Sequence, residues 1–346
     1  MVDYKVTALP GPKSLPSDEQ EDYLRTDSPL DESTPLRPTA YPAEPGKTAI
    51  AIVLLIVSVI SNGLVVAHIH QVATANLNDT SPLNDLVFDL VPQQLWAWTV
   101  ADVLVAVCSA VAFLLILFHA HWSIVLRRFA LLVSVLYLLR ALFLLCTYLP
   151  PPFPDAVDRC LPPIVISEQP LEYIRRAFSL VVTVGISSDC SRILCGDTIY
   201  SGHTMVYCMV CLNAWYYCPQ PLRPYVPVGM TVAVVFGLIA VVISRQHYTI
   251  DVVIAIFVTF VIFYGYHHWT YCKRELPERK NLRIMRPLYI VFLFFELQVP
   301  SGQLPRDMSW PFRRPKLLVR FFDRLSHRYS RPGDGVCDNP NAVHYC

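Results

Sequence analysis

Two histidines and two aspartates stand at the edges of apolar runs, where such residues are costly. Residues 195–204 read CGDTIYSGHT and residues 247–251 read HYTID. His203 falls at the first turn of one apolar segment, and Asp197 lies just before it. His247 and Asp251 are four apart at the start of another. That spacing puts both on one face of a helix, within hydrogen-bonding reach. A carboxylate bonded to one imidazole nitrogen fixes the tautomer and leaves the other nitrogen free to act as nucleophile or base. Two histidines at one depth, one backed by an aspartate, suit phosphoryl transfer. One imidazole attacks phosphorus and becomes a phosphohistidine. The other protonates the leaving oxygen and then deprotonates the incoming hydroxyl, help worth roughly 10²–10⁴-fold.

The elements that must hold these groups are membrane helices. The chain has 346 residues, of which 54% are hydrophobic and only 16% charged, against roughly 25% charged in soluble domains. Its mean hydropathy is +0.41. Six stretches approach the roughly 20 apolar residues that a bilayer requires: 48–69, 95–118, 129–149, 199–218, 226–244 and 248–268. The expected fold is therefore all-α and polytopic. An additional apolar piece at 177–188 is too short to span and fits an interfacial or re-entrant helix. Residues 1–46, acidic and proline-rich, read as a disordered tail, and 269–346 as a basic tail around the six-helix domain 47–268.

Six spans put both termini on one side. Loop 119–128 carries Arg127 and Arg128, loop 219–225 carries Arg223, and residues 269–346 carry 14 Lys or Arg. Positive loops stay cytosolic, so both termini are expected in the cytosol and both histidines on the lumenal or exterior face. The sequon Asn78-Asp79-Thr80 falls on that same outer side. The net charge is only +1; its segregation speaks to orientation and not to nucleic acid. Cys160, Cys190 and Cys195 share one long outer loop, where an oxidising lumen permits a disulfide. Cys108, Cys146, Cys208, Cys211 and Cys218 lie in apolar runs and read as small buried hydrophobes. No pair of CxxC elements has zinc spacing, so no metal site is expected. There is no P-loop, GxGxxG or GxSxG, which argues against nucleotide-driven transport and serine hydrolysis. Asp102 and Arg140 lie inside spans, where a charge needs a partner or a function. They pair with each other, or Arg140 binds phosphate. Ala101, Ala106, Ser109 and Ala110 along the second span would permit helix association and a homo-oligomer.

On these residues the chain resembles the sphingomyelin synthases, within the lipid phosphate phosphatase superfamily. CGDTIYSGHT and HYTIDVV are similar to that family's third and fourth motifs. SPLNDLVFD at 81–89 resembles the first, with Asn84 in place of its second proline. RRFALLVSVLYLLR at 127–140 resembles the second, with Arg127, Arg128, Phe129, Tyr137 and Arg140 in place, and SWPF at 309–312 resembles the family's tail. The resemblance covers about 81–315. It implies six helices and transfer of phosphocholine from phosphatidylcholine to the primary hydroxyl of ceramide, releasing diacylglycerol. It implies His247 as nucleophile, Asp251 as its orienting partner and His203 as acid/base. No metal or nucleotide cofactor is needed, because the donor lipid already carries the phosphoester. The expected partners are membrane lipids, and the expected location is the Golgi or the plasma membrane.

Asp197, Tyr200, Ser201, Arg128, Arg140 and Arg245 are the candidate substrate-binding residues. Asp197 and Tyr200 are placed to meet an ammonium headgroup through charge and cation–π attraction. The chain departs from the family at one point: Arg245 stands two residues before His247, where relatives usually carry an acid. The same triad would serve a ceramide phosphoethanolamine or inositolphosphorylceramide synthase. It would also serve a lipid phosphatase or phospholipase C-like hydrolase if water discharged the intermediate. A transporter or receptor using intramembrane charges is the non-enzymatic alternative.

Overall fold

A computed structural model describes residues 41–75, 81–164, 168–183, 193–196, 199–274 and 286–309. Asn78–Thr80, Cys190, Asp197 and the segment 310–346 lie outside the described residues. The helices run in order: α1 Pro45–Ala75, α2 Leu86–Leu90, α3 Trp96–Leu117, α4 Trp122–Cys146, α5 Ala156–Arg159, α6 Pro170–Thr183, α7 Gly202–Tyr217, α8 Tyr225–Ile243, α9 Thr249–Tyr271 and α10 Arg286–Glu296. Among the described residues the only β-pairing is two isolated bridges, so the expected all-α class holds.

Among the described residues five helices, α1, α3, α4, α8 and α9, are long and apolar enough to cross a membrane. The fourth expected span, 199–218, is a 16-residue helix, α7. It begins late because Ser201 caps it, its Oγ accepting from Thr204 N at 3.2 Å. A side-chain oxygen at that position satisfies one of the amides that a helix start leaves open.

The helices alternate in direction. At one end, the start of α3 meets the end of α8 through Gln94 N to Ile243 O. There too the segment before α7 meets the start of α9 through Ser201 N to Asp251 O. At the other end, Tyr217 of α7 bonds His267 of α9. One apolar core lies between α3, α7 and α8, with Ala97, Ala101, Val105, Tyr207, Val234 and Val241. A second joins α4, α7 and α9, with Leu132, Leu136, Met209, Ala255 and Phe263. Side chains that face away from both, such as Val103, Val232 and Phe257, are exposed. This is the pattern of a bundle solvated by hydrocarbon.

Several boundaries move. The third span starts at Trp122, not near 129, so Arg127 and Arg128 are not in a loop but buried on the first turns of α4. They are tolerated because each has a carboxylate partner: Glu44 for Arg127 at 3.0 Å and Glu296 for Arg128 at 2.6 Å. The partners come from segments expected to be tails. Residues 41–46 are packed, with Tyr41 against His121 and the Ala43 carbonyl accepting from Ser123 Oγ at 2.6 Å. Residues 286–309 also fold onto the bundle. Ala120 N donates to Asp307 O and Ser309 N to Phe118 O, both at 2.9 Å. The apolar piece expected at 177–188 is the helix α6, which starts seven residues earlier. Of the cysteines in apolar runs, Cys146 is exposed and Cys211 half-buried; Cys108, Cys208 and Cys218 are buried.

Candidate active site

His203 is the second residue of α7, and its first turn faces Asp102 on α3. His203 Nε2 lies 2.9 Å from Asp102 Oδ1, and the aspartate is buried. A carboxylate only accepts, so Nε2 carries the proton and Nδ1 is the nitrogen left for chemistry. The sequence offers Asp102 only as a partner for Arg140; a buried acid on a lipid-spanning helix is the signal for a larger role.

His247 does not share a helix face with Asp251, as the four-residue spacing suggested. It sits in the turn 244–248, two residues before α9 begins. The cause is Asp251 itself. Its Oδ2 accepts from Tyr248 N at 3.1 Å, and its own amide donates to Tyr248 O at 3.1 Å. That reciprocal arrangement makes Tyr248 the cap and starts the helix at Thr249. Asp251 and His247 are both buried. The two imidazoles nevertheless meet, with His203 and His247 ring centroids 6.4 Å apart.

Arg140, on α4, lies beside them. Its Nε donates to Tyr200 O and its Nη1 to Asn62 Oδ1, each at 3.0 Å. Its guanidinium is flush against Gly202, where a Cβ would lie 3.3 Å from Arg140 Cζ and Nε. Residue 202 is therefore glycine because a cation occupies the space a side chain would need. Asp102 and Arg140 thus hold His203 and its preceding backbone from two sides.

The remaining candidates divide. Ser201 is present as the helix cap described above. Tyr200 is a correction: its ring is fully buried against Phe143, and its hydroxyl donates to Leu136 O, so it packs α4 and presents no face to a headgroup. Arg128 is a second correction. It stands 12 residues before Arg140 on the same helix, about 18 Å away at 1.5 Å per residue, at the end opposite the histidines. Arg245 is a third. Its backbone takes a left-handed conformation (φ 61), its Nη2 donates to Phe88 O at 3.0 Å, and its guanidinium stacks 4.9 Å from the Phe88 ring. It ties the His247 turn to α2.

Residues 81–94 emerge as the clamp on that turn. Asp85 Oδ2 accepts from Thr249 N at 2.7 Å and Oδ1 from Thr249 Oγ1 at 2.8 Å, while also capping α2 through Val87 N at 2.9 Å. Burial pushes the Asp85 carboxyl up, but these hydrogen bonds outweigh it and hold the group below its ordinary value. Tyr248 Oη accepts from Leu83 N at 3.0 Å and donates to Pro150 O at 3.1 Å. Gln93 Nε2 reaches Ser244 O at 3.2 Å. On the other flank, the Cys160–Cys195 disulfide pins the strand of chain that leads into α7. Cys195 N donates to His70 Nδ1 at 2.9 Å. Gly196 adopts φ +89 with Ala73 pressed against it, a place that only glycine fills without strain.

The comparisons with known proteins fall on this arrangement. Residues 194–268, which carry both histidines and Asp251, match the PAP2 superfamily C-terminal domain. The chain is 35% identical over 290 residues, 82% of each chain, to phosphatidylcholine:ceramide cholinephosphotransferase 2 of Caenorhabditis elegans. The chain belongs to this cholinephosphotransferase family. It is also 29% identical over 279 residues to the chicken (Gallus gallus) phosphatidylcholine:ceramide cholinephosphotransferase 1, covering 80% of this chain and 65% of that one. The human homologue of the same name is 27% identical over 306 residues, covering 88% and 71%. As a member of this sphingomyelin synthase family, the chain is a phosphotransferase. Among the described residues no cluster of His, Cys, Asp or Glu could hold a metal ion.

Proposed function

We propose that the protein is a sphingomyelin synthase that moves phosphocholine from phosphatidylcholine to the primary hydroxyl of ceramide through a phosphohistidine. The observation that carries this reading is the meeting of two buried-edge imidazoles, 6.4 Å apart, one of them bonded to a carboxylate. A phosphoryl group between the rings lies within reach of both, the geometry in which positioning replaces solvent reorganisation.

In the first half-reaction, His247 attacks phosphorus and the bond to the diacylglycerol oxygen breaks. His203 gives that oxygen its Nδ1 proton, and diacylglycerol leaves. Asp102, on Nε2, stabilises the positive imidazole that precedes the transfer. In the second half, neutral His203 takes the proton of the ceramide hydroxyl through Nδ1. The ceramide oxygen attacks phosphorus, the P–N bond breaks, and His247 recovers its lone pair. Asp251 organises the His247 turn, and Arg140 lends positive charge beside the developing phosphorane. Asp197, outside the described residues, remains the candidate for the choline ammonium.

In this reading α7 is the sixth membrane span, short because it starts at the site. Both termini are cytosolic, and the histidines face the Golgi lumen or the cell exterior. The Cys160–Cys195 disulfide, on the histidine side of the bundle, accords with an oxidising compartment there. A rapid-quench experiment tests the intermediate. Enzyme mixed with phosphatidylcholine labelled at phosphorus, without ceramide, should acquire an alkali-stable, acid-labile protein label that ceramide discharges. Turnover by His247→Ala at a wild-type rate, with no label on either protein, would sink the proposal.

A further inference from the structure

Helix α6 is 14 residues long, too short to cross a bilayer, and the reaction makes no use of it. Its surface divides into three strips. Ala177 and Val181 press on Gly63 of α1, so closely that a Cβ on Gly63 would meet the Ala177 carbonyl at 3.0 Å and Val181 Cγ2 at 3.1 Å. Leu180 joins Val66, Ile69 and Leu144 in a small core, and Tyr173 Oη donates to Leu64 O at 3.0 Å. A second strip carries Glu172, Arg175 and Arg176; the two arginines pair with Glu172, and Arg176 Nη1 also donates to Pro162 O at 2.9 Å. The third strip is Leu171, Ile174, Phe178 and Val182, spaced three, four and four, and each is 57–79% exposed.

Three observations say what covers that third strip. The helix packs its Ala177–Val181 face against Gly63–Ile69, within the apolar run of a candidate membrane span, and meets the outer loop through the Arg176 bond to Pro162 O. Ile60 and Leu64 of α1 are exposed there too, so the strip continues a surface that hydrocarbon already covers. The exposed hydroxyls of the C-terminal half are satisfied within the helix, Ser179 Oγ donating to Arg176 O at 2.8 Å and Thr183 Oγ1 to Ser179 O at 2.9 Å. A helix in lipid must satisfy its polar groups internally; one in water has no such need. The charged residues cluster in the N-terminal half, where the exposed Arg175 can reach the headgroup level.

We propose that α6 is inserted in the leaflet on the histidine side and docks lipid acyl chains along Leu171, Ile174, Phe178 and Val182. The place is next to the site. Asn62, the residue before Gly63, holds Arg140, so α6 forms the lipid-facing wall at the depth of the reacting groups. The inference rests on α1 crossing the membrane and not on the identity of the transferred headgroup.

The test uses the full chain in phosphatidylcholine nanodiscs, with p-benzoylphenylalanine introduced singly at Ile174, Phe178 or Val182. Ile60 serves as the lipid-exposed control and Asp158, exposed in the outer loop, as the aqueous one. Alkyne-tagged phosphatidylcholine captured on irradiation should reach, at all three α6 positions, within about twofold of the yield at Ile60, and at least about tenfold the yield at Asp158. Yields at the Asp158 level would overturn the proposal, since the strip would then face water. Adducts to a second copy of the chain in place of lipid would overturn it equally. Transfer of headgroup to fluorescent ceramide, measured on each variant, shows that the chain is folded. Failure of α6 to take lipid in an active variant refutes this inference alone. Absence of transfer in the unmodified protein refutes the proposed function and leaves the lipid yields readable.

Discussion

Asp102→Asn removes one charge and almost no volume, and it isolates what the carboxylate does for His203. In the wild type, Asp102 Oδ1 stands 2.9 Å from His203 Nε2 with the aspartate buried. A hydrogen bond between charged partners contributes about 1.5–3 kcal/mol. That bond reaches full strength only when His203 is an imidazolium, on the way to protonating the leaving oxygen, so the loss falls on the transition state. At about 1.4 kcal/mol per factor of ten, kcat should drop roughly 10–150-fold. An asparagine can also turn its amide toward Nε2. That would place the proton on Nδ1 of the neutral ring and remove the base required by ceramide. Neither effect touches lipid binding, so KM should change by less than about twofold, the signature of an interaction made in the transition state. The assay is steady-state headgroup transfer to fluorescent ceramide in detergent or nanodiscs, with His203→Ala as reference. A kcat within about threefold of wild type for Asp102→Asn, beside an inactive His203→Ala, would refute the assignment of Asp102 to His203.

Other outcomes follow from the same contacts. Gly202→Ala sets a methyl 3.3 Å from the Arg140 guanidinium; the resulting shift of a few tenths of an ångström should cost roughly tenfold in kcat with little change in thermal stability, and unchanged turnover would count against Arg140 as part of the site. Glu296→Leu leaves Arg128 buried without its carboxylate and should destabilise the fold by about 3–5 kcal/mol; unfolding midpoints in detergent measure it, and an unchanged midpoint contradicts the pairing. His119, between α3 and α4, is held by burial near a pKa of about 4. Its folded value is depressed, so stability present above pH about 6.5 is lost as pH falls toward 4, by up to about 3 kcal/mol. His119→Asn keeps an acceptor for His121 N and should flatten that loss between pH 7 and 5; parallel curves for the two proteins would exclude His119 as the source.

The sequence made the long helices legible because a bilayer demands about 20 apolar residues in a row, and no side-chain detail alters that. It made His203, His247 and Asp251 candidates because polar groups at such depth need a reason. Other features depended on pairings between distant segments. Arg128 and Arg140 look alike in one motif, yet the helix carries them to opposite ends, and only the fold shows Glu296 waiting for Arg128. Burial pushes the Glu296 carboxyl up, and the bidentate Arg128 contact overrides it and holds the group below its ordinary value. Tyr200 has the right chemistry for a phosphocholine headgroup but spends its hydroxyl on Leu136. His247 and Asp251 were read at helical spacing, whereas Asp251 ends that spacing by capping its own helix. Asp85 was visible as part of the first motif, and an aspartate just before a hydrophobic run is a cap signal. Its second task, gripping Thr249 more than 160 residues later in the chain, had no local trace.

Transfer of phosphocholine to ceramide by way of His247 can be measured in membranes of cells that lack their own synthases, expressing this chain or its His247→Ala variant. Fluorescent ceramide is supplied with phosphatidylcholine, phosphatidylethanolamine or phosphatidylinositol in turn, and the products are separated by chromatography. A choline-headed product is expected from phosphatidylcholine alone, absent with His247→Ala. Diacylglycerol released from phosphatidylcholine with no ceramide product would contradict that transfer, because water and not ceramide would then be the acceptor.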